Sequence, residues 1–138
     1  MGLALEDQLL IQCSRINMND LAVKKAVKLL DDELDWSYIL ETSIKHNVSP
    51  LFYHGLKQVL QSGELDAPLP QPVMEELEKL YHGNRKRNLR LYRAIGDVCK
   101  AFERVGITAM GLKDFQLTWE LYPDVGLRPM GDIDILIH

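Results

Sequence analysis

The chain has 138 residues, of which 46% are hydrophobic and 26% are charged, and its formal net charge at pH 7 is -4. This composition is typical of soluble globular proteins and excludes a collagen-like or disordered chain. The acidic balance argues against general nucleic-acid coating, which needs a surplus of lysine and arginine. At this length a chain buries enough surface to fold without disulfides or a structural metal.

The N-terminal residues and the cysteines favour a cytoplasmic protein. Glu6 and Asp7 interrupt the first apolar residues before they could form a signal peptide. No apolar stretch approaches the roughly 20 residues that span a bilayer, so we expect no membrane association. Cys13 and Cys99 lie far apart without a CxxC partner, which favours reduced thiols over a disulfide or a zinc site.

The first 60 residues predict four amphipathic helices. Apolar residues recur at helical spacing behind starts at Leu3, Asn19 or Asp20, Asp35, and Ser49-Pro50. The segment 62–72 follows as the clearest linker, because its three alternating prolines deny both helix and interior strand. Trp36, Trp119 and the tyrosines at helical spacing are expected in the core.

Residues 72–105 predict one long helix, because apolar and asparagine side chains repeat every three or four positions and Gly106 suits its C-terminal cap. Its length would be roughly 50 Å if it is unbroken. The interior glycine Gly83 weakens a helix by up to about 1 kcal/mol relative to alanine, so a break there is the main alternative.

The basic run within this helix admits two interpretations. Arg87, Arg90 and Arg93 share roughly one helical face, which could hold an anionic substrate or nucleic acid. A solvated face that balances the acidic helices is favoured, with Asn84 and Asn88 as hydrogen-bonded residues of the apolar seam. We therefore expect no strong nucleic-acid binding.

The sequence changes in character after Gly106. The expected elements are a buried strand over 107–112, a short helix over 115–122, a loop over 124–131 and a strand over 132–137. The fold class is therefore α+β, with a mainly helical portion at 1–105 followed by a strand-helix-strand core at 106–138.

Two carboxylates dominate the last predicted strand. Because side chains alternate across a strand, Asp132 and Asp134 point to one face, while Ile133, Ile135 and Ile137 anchor the other. Neighbouring carboxylates repel, so a cation is expected between them. Hard oxygen ligands suit Mg²⁺ or Mn²⁺. The alternative is a solvated strand start neutralised by a nearby arginine, and the spacing alone favours that alternative.

The motifs around these aspartates carry a family resemblance. Leu112-Lys113 ends the first strand, and the stretch Gly126-Leu127-Arg128-Pro129-Met130-Gly131-Asp132-Ile133-Asp134 leads into the second. Further matching residues are Asp35-Trp36, His46–Leu51 and Arg87–Leu91. Together they resemble the signature of a family of uncharacterised bacterial nucleotidyltransferases, which belongs to the DNA polymerase beta-like superfamily.

The resemblance implies a magnesium-dependent nucleotidyltransferase that moves a nucleoside monophosphate from a nucleoside triphosphate to an unknown acceptor. Asp132 and Asp134 would be the catalytic residues and would bind Mg²⁺ or Mn²⁺. Lys113 and Arg128 are the local cations that would contact the triphosphate. For both cations, a solvated or ion-paired side chain is an equal alternative.

Two departures from the family pattern suggest an incomplete site. Asp114 stands where the family usually has glycine, and a carboxylate there would repel phosphate. Superfamily sites also use a third carboxylate from a later strand, whereas this sequence ends at His138. We therefore expect this chain alone to be inactive, with self-association through the unpaired edge of its last strand. The alternative function is a non-catalytic helical interaction module joined to a degenerate or truncated transferase core.

Overall fold

Six helices and two strands make up the described part of the chain, residues 2–138, in a computed structural model. In chain order they are α1 (Leu5–Cys13), α2 (Asp20–Leu30), α3 (Trp36–Lys45), α4 (Ser49–Ser62), α5 (Gln71–Arg104), β1 (Ala109–Leu112), α6 (Asp114–Leu121) and β2 (Asp134–Ile137). This content confirms the predicted α+β class. Within the described residues, no helix has the length and apolar character to cross a membrane.

The short helices begin at the predicted capping residues. The Asn19 side chain accepts a hydrogen bond from the Ala22 amide at 2.9 Å, and Asp35 accepts one from Tyr38 at 3.0 Å. Each of these bonds satisfies an amide that lacks an intrahelical partner. Helix α4 carries its proline in the first turn and stops at Gly63, whose φ is +72°.

Helix α5 continues through Gly83 without interruption from Gln71 to Arg104. The helix is therefore continuous as predicted, and the alternative with a break at Gly83 does not occur. The glycine weakens the helix by no more than about 1 kcal/mol, and buried residues on both sides of it, Leu77 and Ile95, favour continuity. The chain leaves the helix at Gly106, which adopts a φ of +74°.

The chain divides into two compact units, of which the first ends at Tyr81 and the second comprises His82–His138. The first unit contains an apolar core to which α1 to α4 and the start of α5 contribute. Its buried members include Leu9, Leu10, Cys13, Ala26, Ile39, Phe52, Leu56, Val59 and Leu77. The predicted division at residue 105 stays a prediction.

The second unit is built around an antiparallel pair of strands. Strand β1 pairs with β2 in a register that places Leu112 opposite Asp134 and Met110 opposite Leu136. Both strands are shorter than predicted, since regular pairing covers only four residues on each. Asp132 and Ile133 precede β2 rather than belonging to it.

The core prediction for the two tryptophans is only half right. Trp36 is partly buried against the core of the first unit. Trp119 is 71% exposed, although its ring packs on that of Tyr92 with centroids 5.8 Å apart. Both cysteines are free, Cys13 buried and Cys99 partly buried.

Candidate active site

The two strands present one covered face and one open face. Gly111 lies on the covered face, where an added Cβ would meet the ring of Phe115 and approach the Ile95 side chain. Cross-strand partners share a face, so Met110 and Leu136 lie together on the opposite side, 52% and 54% exposed. The open face can therefore be reached by a substrate.

Asp134 lies on this open face, at the first residue of β2. Its register partner is Leu112, which shares the face with Met110. Asp132, two residues earlier, is exposed. Asp134 therefore lies in the strand, as predicted. Asp132 lies in the segment that leads into the strand.

Lys113 pairs directly with Asp134. Its Nζ lies 2.8 Å from Asp134 Oδ2, and the two side chains are 72% and 40% exposed. The hydrogen bond and charge of Asp134, with weaker effects from Asp132 and Asp114, raise the pKa of Lys113 above its ordinary value. The ammonium group is thus charged at neutral pH and partly neutralises the carboxylate.

The backbone of Lys113 holds this side chain beside the strand start. The residue joins β1 to α6 with φ +53° and ψ −126°, a conformation that L-residues adopt rarely. Such a residue is strained by about 1–3 kcal/mol and persists only where its surroundings hold it. The tight connection therefore fixes the position of Lys113 relative to Asp134.

Arg128 and Asp114 form a second ion pair next to the first. Arg128 Nε donates to Asp114 Oδ1 at 3.2 Å, and Nη2 donates to the same oxygen. Nη1 donates to the Tyr122 hydroxyl at 3.4 Å, and the guanidinium lies 5.9 Å from the centre of that ring. The expected repulsion of phosphate by Asp114 is therefore reduced, because its charge is partly balanced within the chain.

The loop before the aspartates is fixed by two asparagines of α5. Asn84 Nδ2 donates to the Gly126 carbonyl at 2.7 Å. The fully buried Asn88 donates to the Arg128 carbonyl at 2.8 Å and also to the Val125 carbonyl. These bonds satisfy carbonyl groups that have no ladder partner, and they confirm the predicted role of both asparagines as hydrogen-bonded seam residues.

Two arginines of the basic run also reach this loop. Arg85 Nε lies 3.2 Å from Asp124 Oδ2. Arg87 Nη2 donates to the Gly131 carbonyl at 3.2 Å, immediately before Asp132. The prediction of a solvated basic face missed these contacts. They depend on the long-range packing of the loop on α5, for which the sequence offered no spacing signal.

The donor set around Asp134 suits a hard divalent cation. Asp132 and Asp134 offer carboxylate oxygens without a competing soft ligand, and the Lys113 ammonium already stands where a positive charge is favoured. Among residues 2–138, no group of three or more histidine, cysteine or acidic side chains is placed to hold a metal.

The structure brings together Asp134 and Lys113 among the four predicted site residues, and it places Arg128 on Asp114 instead. Sequence reasoning missed Tyr122 as a partner of Arg128 and named an arginine, not Lys113, as the neutralising neighbour. The strand register that aligns Leu112 with Asp134 could have identified Lys113, but the sequence alone does not fix that register.

The site combines a carboxylate at the start of β2, paired with a lysine, and a separate ion pair of an arginine with an aspartate. Comparison with family models assigns residues 32–138 to the family of uncharacterised nucleotidyltransferases. The match covers well over half of the chain, so this chain belongs to that family. Comparison with curated proteins and with solved structures returned no match.

Proposed function

We propose that this chain supplies the metal and triphosphate site of a transferase that moves a nucleoside monophosphate from a nucleoside triphosphate to an acceptor hydroxyl, with Mg²⁺ or Mn²⁺ held by Asp132 and Asp134. Among residues 2–138 no third carboxylate is placed beside these two, so we expect this chain alone to be inactive. The observation that carries the proposal is the Asp134 carboxylate on the open face of β2, with a lysine ammonium 2.8 Å from it, in a chain of a nucleotidyltransferase family. The class of acceptor stays open.

In the proposed reaction the acceptor oxygen bonds to the α-phosphorus, and the bond to the bridging oxygen of pyrophosphate breaks. The hydroxyl proton passes to solvent. A bound divalent cation would balance phosphate charge and favour ionisation of the acceptor hydroxyl. Asp132 and Asp134 would hold that cation at the start of β2. Lys113 supplies positive charge to the departing phosphates.

Arg128 has a different task in this proposal. Its guanidinium is bound to Asp114 and Tyr122, so it balances the carboxylate that would otherwise repel the triphosphate. We therefore reassign Arg128 from direct phosphate contact to charge balance at the strand-helix connection. This role also accounts for an aspartate at position 114.

Calorimetry of the full chain with Mg²⁺ and each of the four ribonucleoside triphosphates tests the proposal. We expect Mg²⁺-dependent binding of at least one triphosphate, weakened tenfold or more in Asp132→Asn and Asp134→Asn. Asp97→Asn is the matched control, because Asp97 is an exposed carboxylate of the same unit on α5. Pyrophosphate release is then measured with the triphosphate that binds, and we expect none from this chain alone.

The second candidate is a non-catalytic interaction module. One observation favours it: the Lys113–Asp134 pair already neutralises the carboxylate without a metal. On this alternative, neither Mg²⁺ nor any triphosphate binds, and Asp134→Asn alters only stability. Absence of triphosphate binding to the folded chain at millimolar concentrations of both ligands would reject the transferase proposal in favour of this one.

A further inference from the structure

In the Lys113–Asp134 contact, two groups of the proposed site bind each other instead of the ligands that each is proposed to bind. Both would serve the transferase reaction, but with different partners: the carboxylate with a divalent cation, the ammonium with phosphate. In the structure they bind each other at 2.8 Å. A divalent cation that binds Asp134 Oδ2 takes the oxygen that the ammonium occupies and repels its positive charge, so metal binding there would make Lys113 withdraw.

We propose that Lys113 is a positioning residue with two alternating partners, occupying Asp134 in the metal-free protein and turning to the triphosphate when a divalent cation binds. The inference rests on the proposed function and deepens it. In this proposal the Lys113 ammonium occupies the metal position at Asp134 until a metal binds. The binding of metal and the binding of triphosphate are therefore coupled.

Lys113 has the freedom that such an exchange needs. Its side chain is 72% exposed, and a lysine carries its compact charge at the end of a flexible four-carbon stem. Its backbone, by contrast, is held between β1 and α6. The ammonium can therefore change partners while its Cα stays beside the strand start.

Arg128 cannot exchange partners as readily. Its guanidinium binds Asp114 through two nitrogens and Tyr122 through the third. If Arg128 left these partners, several hydrogen bonds would break and the Asp114 carboxylate would lose the arginine that balances its charge. Of the two cations predicted for phosphate contact, the geometry therefore selects Lys113.

The exchange has a thermodynamic consequence. A metal that binds alone must displace the ammonium from Asp134 and leaves it without a partner, whereas the triphosphate offers the displaced ammonium a new one. Each ligand therefore strengthens the binding of the other by the same factor. The triphosphate and its cation would enter the site together.

The first arm of the test measures Mn²⁺ affinity of the full chain by electron paramagnetic resonance, without any phosphate ligand. We expect Lys113→Met to bind Mn²⁺ about two- to fivefold more tightly than the wild-type chain, the range for removing a half-exposed competing ion pair. Lys113→Arg keeps the competing charge and should bind as the wild type does. Lys79→Met is the matched control, since Lys79 is 74% exposed and pairs with Glu76 at 3.3 Å.

The second arm uses inorganic triphosphate as the probe, at saturating Mg²⁺. Lys113→Met should bind it several-fold more weakly than the wild-type chain, so one substitution shifts the two affinities in opposite directions. A merely structural salt bridge would move both affinities the same way or neither. Circular dichroism establishes that each variant is folded.

Two results would overturn the inference. If Lys113→Met leaves Mn²⁺ affinity unchanged or weaker while Asp134→Asn lowers it, the proposed role of Lys113 is wrong and the proposed function stands. If Asp134→Asn has no effect on Mn²⁺ binding, the metal is not held at Asp134, and both the inference and the proposed metal site are wrong. Tighter Mn²⁺ binding by Lys113→Arg as well as Lys113→Met would likewise reject competition by charge.

Discussion

Gly55 lies where helix α4 approaches the end of α1. A Cβ built at this residue would overlap the carbonyl oxygen of Cys13. Both residues belong to the packed part of the first unit, where Cys13 is completely buried. Backbone atoms cannot move aside as a flexible side chain can, so glycine is required here by contact rather than by dihedral angle.

We predict that Gly55→Ala lowers the free energy of unfolding by about 1–3 kcal/mol, the usual cost of overpacking a core. Gly83→Ala is the matched control: it is also interior to a helix, but an added Cβ there meets nothing within 4 Å. That substitution should raise stability by up to about 1 kcal/mol. Urea denaturation measures both, and equal shifts in the same direction would contradict the packing explanation.

The buried thiol of Cys13 predicts a dependence of stability on alkaline pH. Burial raises its pKa from the ordinary 9.0 to about 12. Above pH 9 the unfolded chain loses a proton that the folded chain retains, so the free energy of unfolding falls as pH rises toward 12. From this group alone we expect a fall of about 1 kcal/mol between pH 9 and pH 10.

Denaturation of the wild-type chain and of Cys13→Ala at pH 8, 9 and 10 tests this expectation. The variant is less stable at every pH, because it leaves a cavity, but its stability should fall less between pH 9 and pH 10. Tyr53 has a pKa raised to about 12, mainly by burial and next by its hydrogen bond to Glu78. It is present in both proteins and cancels in the comparison. Parallel pH profiles would show that Cys13 ionises normally in the folded state.

At the level of secondary-structure elements, the loop before β2 depends on α5 for its conformation. Asn88 satisfies two loop carbonyls from a fully buried position. The loop also has local support, since the Gly126 amide donates to Asp124 Oδ1 at 2.7 Å. The helix therefore contributes the interactions that fix how the chain approaches Asp132.

We predict that Asn88→Ala destabilises the second unit by about 1–3 kcal/mol, because the partly buried carbonyls of Val125 and Arg128 lose their donor. Hydrogen exchange should show faster exchange at the amides of Gly126 and Leu127, whose bonds lie inside the loop. Arg90→Ala provides the control, because Arg90 is an exposed residue of the same helix. If these amides exchange equally slowly in Asn88→Ala, the bonds within the loop, not Asn88, would hold its conformation.

Helices and strands were both predictable to within a few residues, and each strand begins two residues later than predicted. The caps Asn19 and Asp35 act through local bonds, and local bonds can be inferred from neighbouring residues. The length of β2 depends instead on its pairing with β1, a contact between segments more than 20 residues apart. Ile137 was expected to anchor the strand but is 56% exposed, because strand composition does not reveal what covers each face.

For the whole molecule, the sequence proposes residues for the candidate site but does not determine their contacts. Asp132 and Asp134 stand out by alternation and by the family signature. The partners of Lys113 and Arg128 depend on how β1, α6 and the loop pack, which periodicity does not encode. From the sequence, phosphate contact and ion pairing were equal alternatives for Lys113 and Arg128. In the structure, both side chains form ion pairs.

The charge of the molecule bears on nucleic-acid binding. The chain carries a net charge of -4, and two arginines of the basic run are engaged with their own unit, Arg85 with Asp124 and Arg87 with the Gly131 carbonyl. Arg90 and Arg93 are exposed on the same helix. Each contact with a single-strand phosphate releases about 0.7 counterions. Two such contacts give a slope of about −1.4 for the logarithm of the association constant against the logarithm of salt concentration.

We therefore predict weak binding of single-stranded RNA, with the logarithm of the association constant falling no more steeply than about −1.4 against the logarithm of salt concentration. Fluorescence anisotropy with a labelled 20-mer from 50 to 300 mM KCl measures this slope. The variant Arg90→Ala/Arg93→Ala should abolish most of it, whereas Lys79→Met should leave it unchanged. A slope of about −3 or steeper would mean that Arg85 and Arg87 exchange their internal partners for phosphates, and the basic run would then be a nucleic-acid surface.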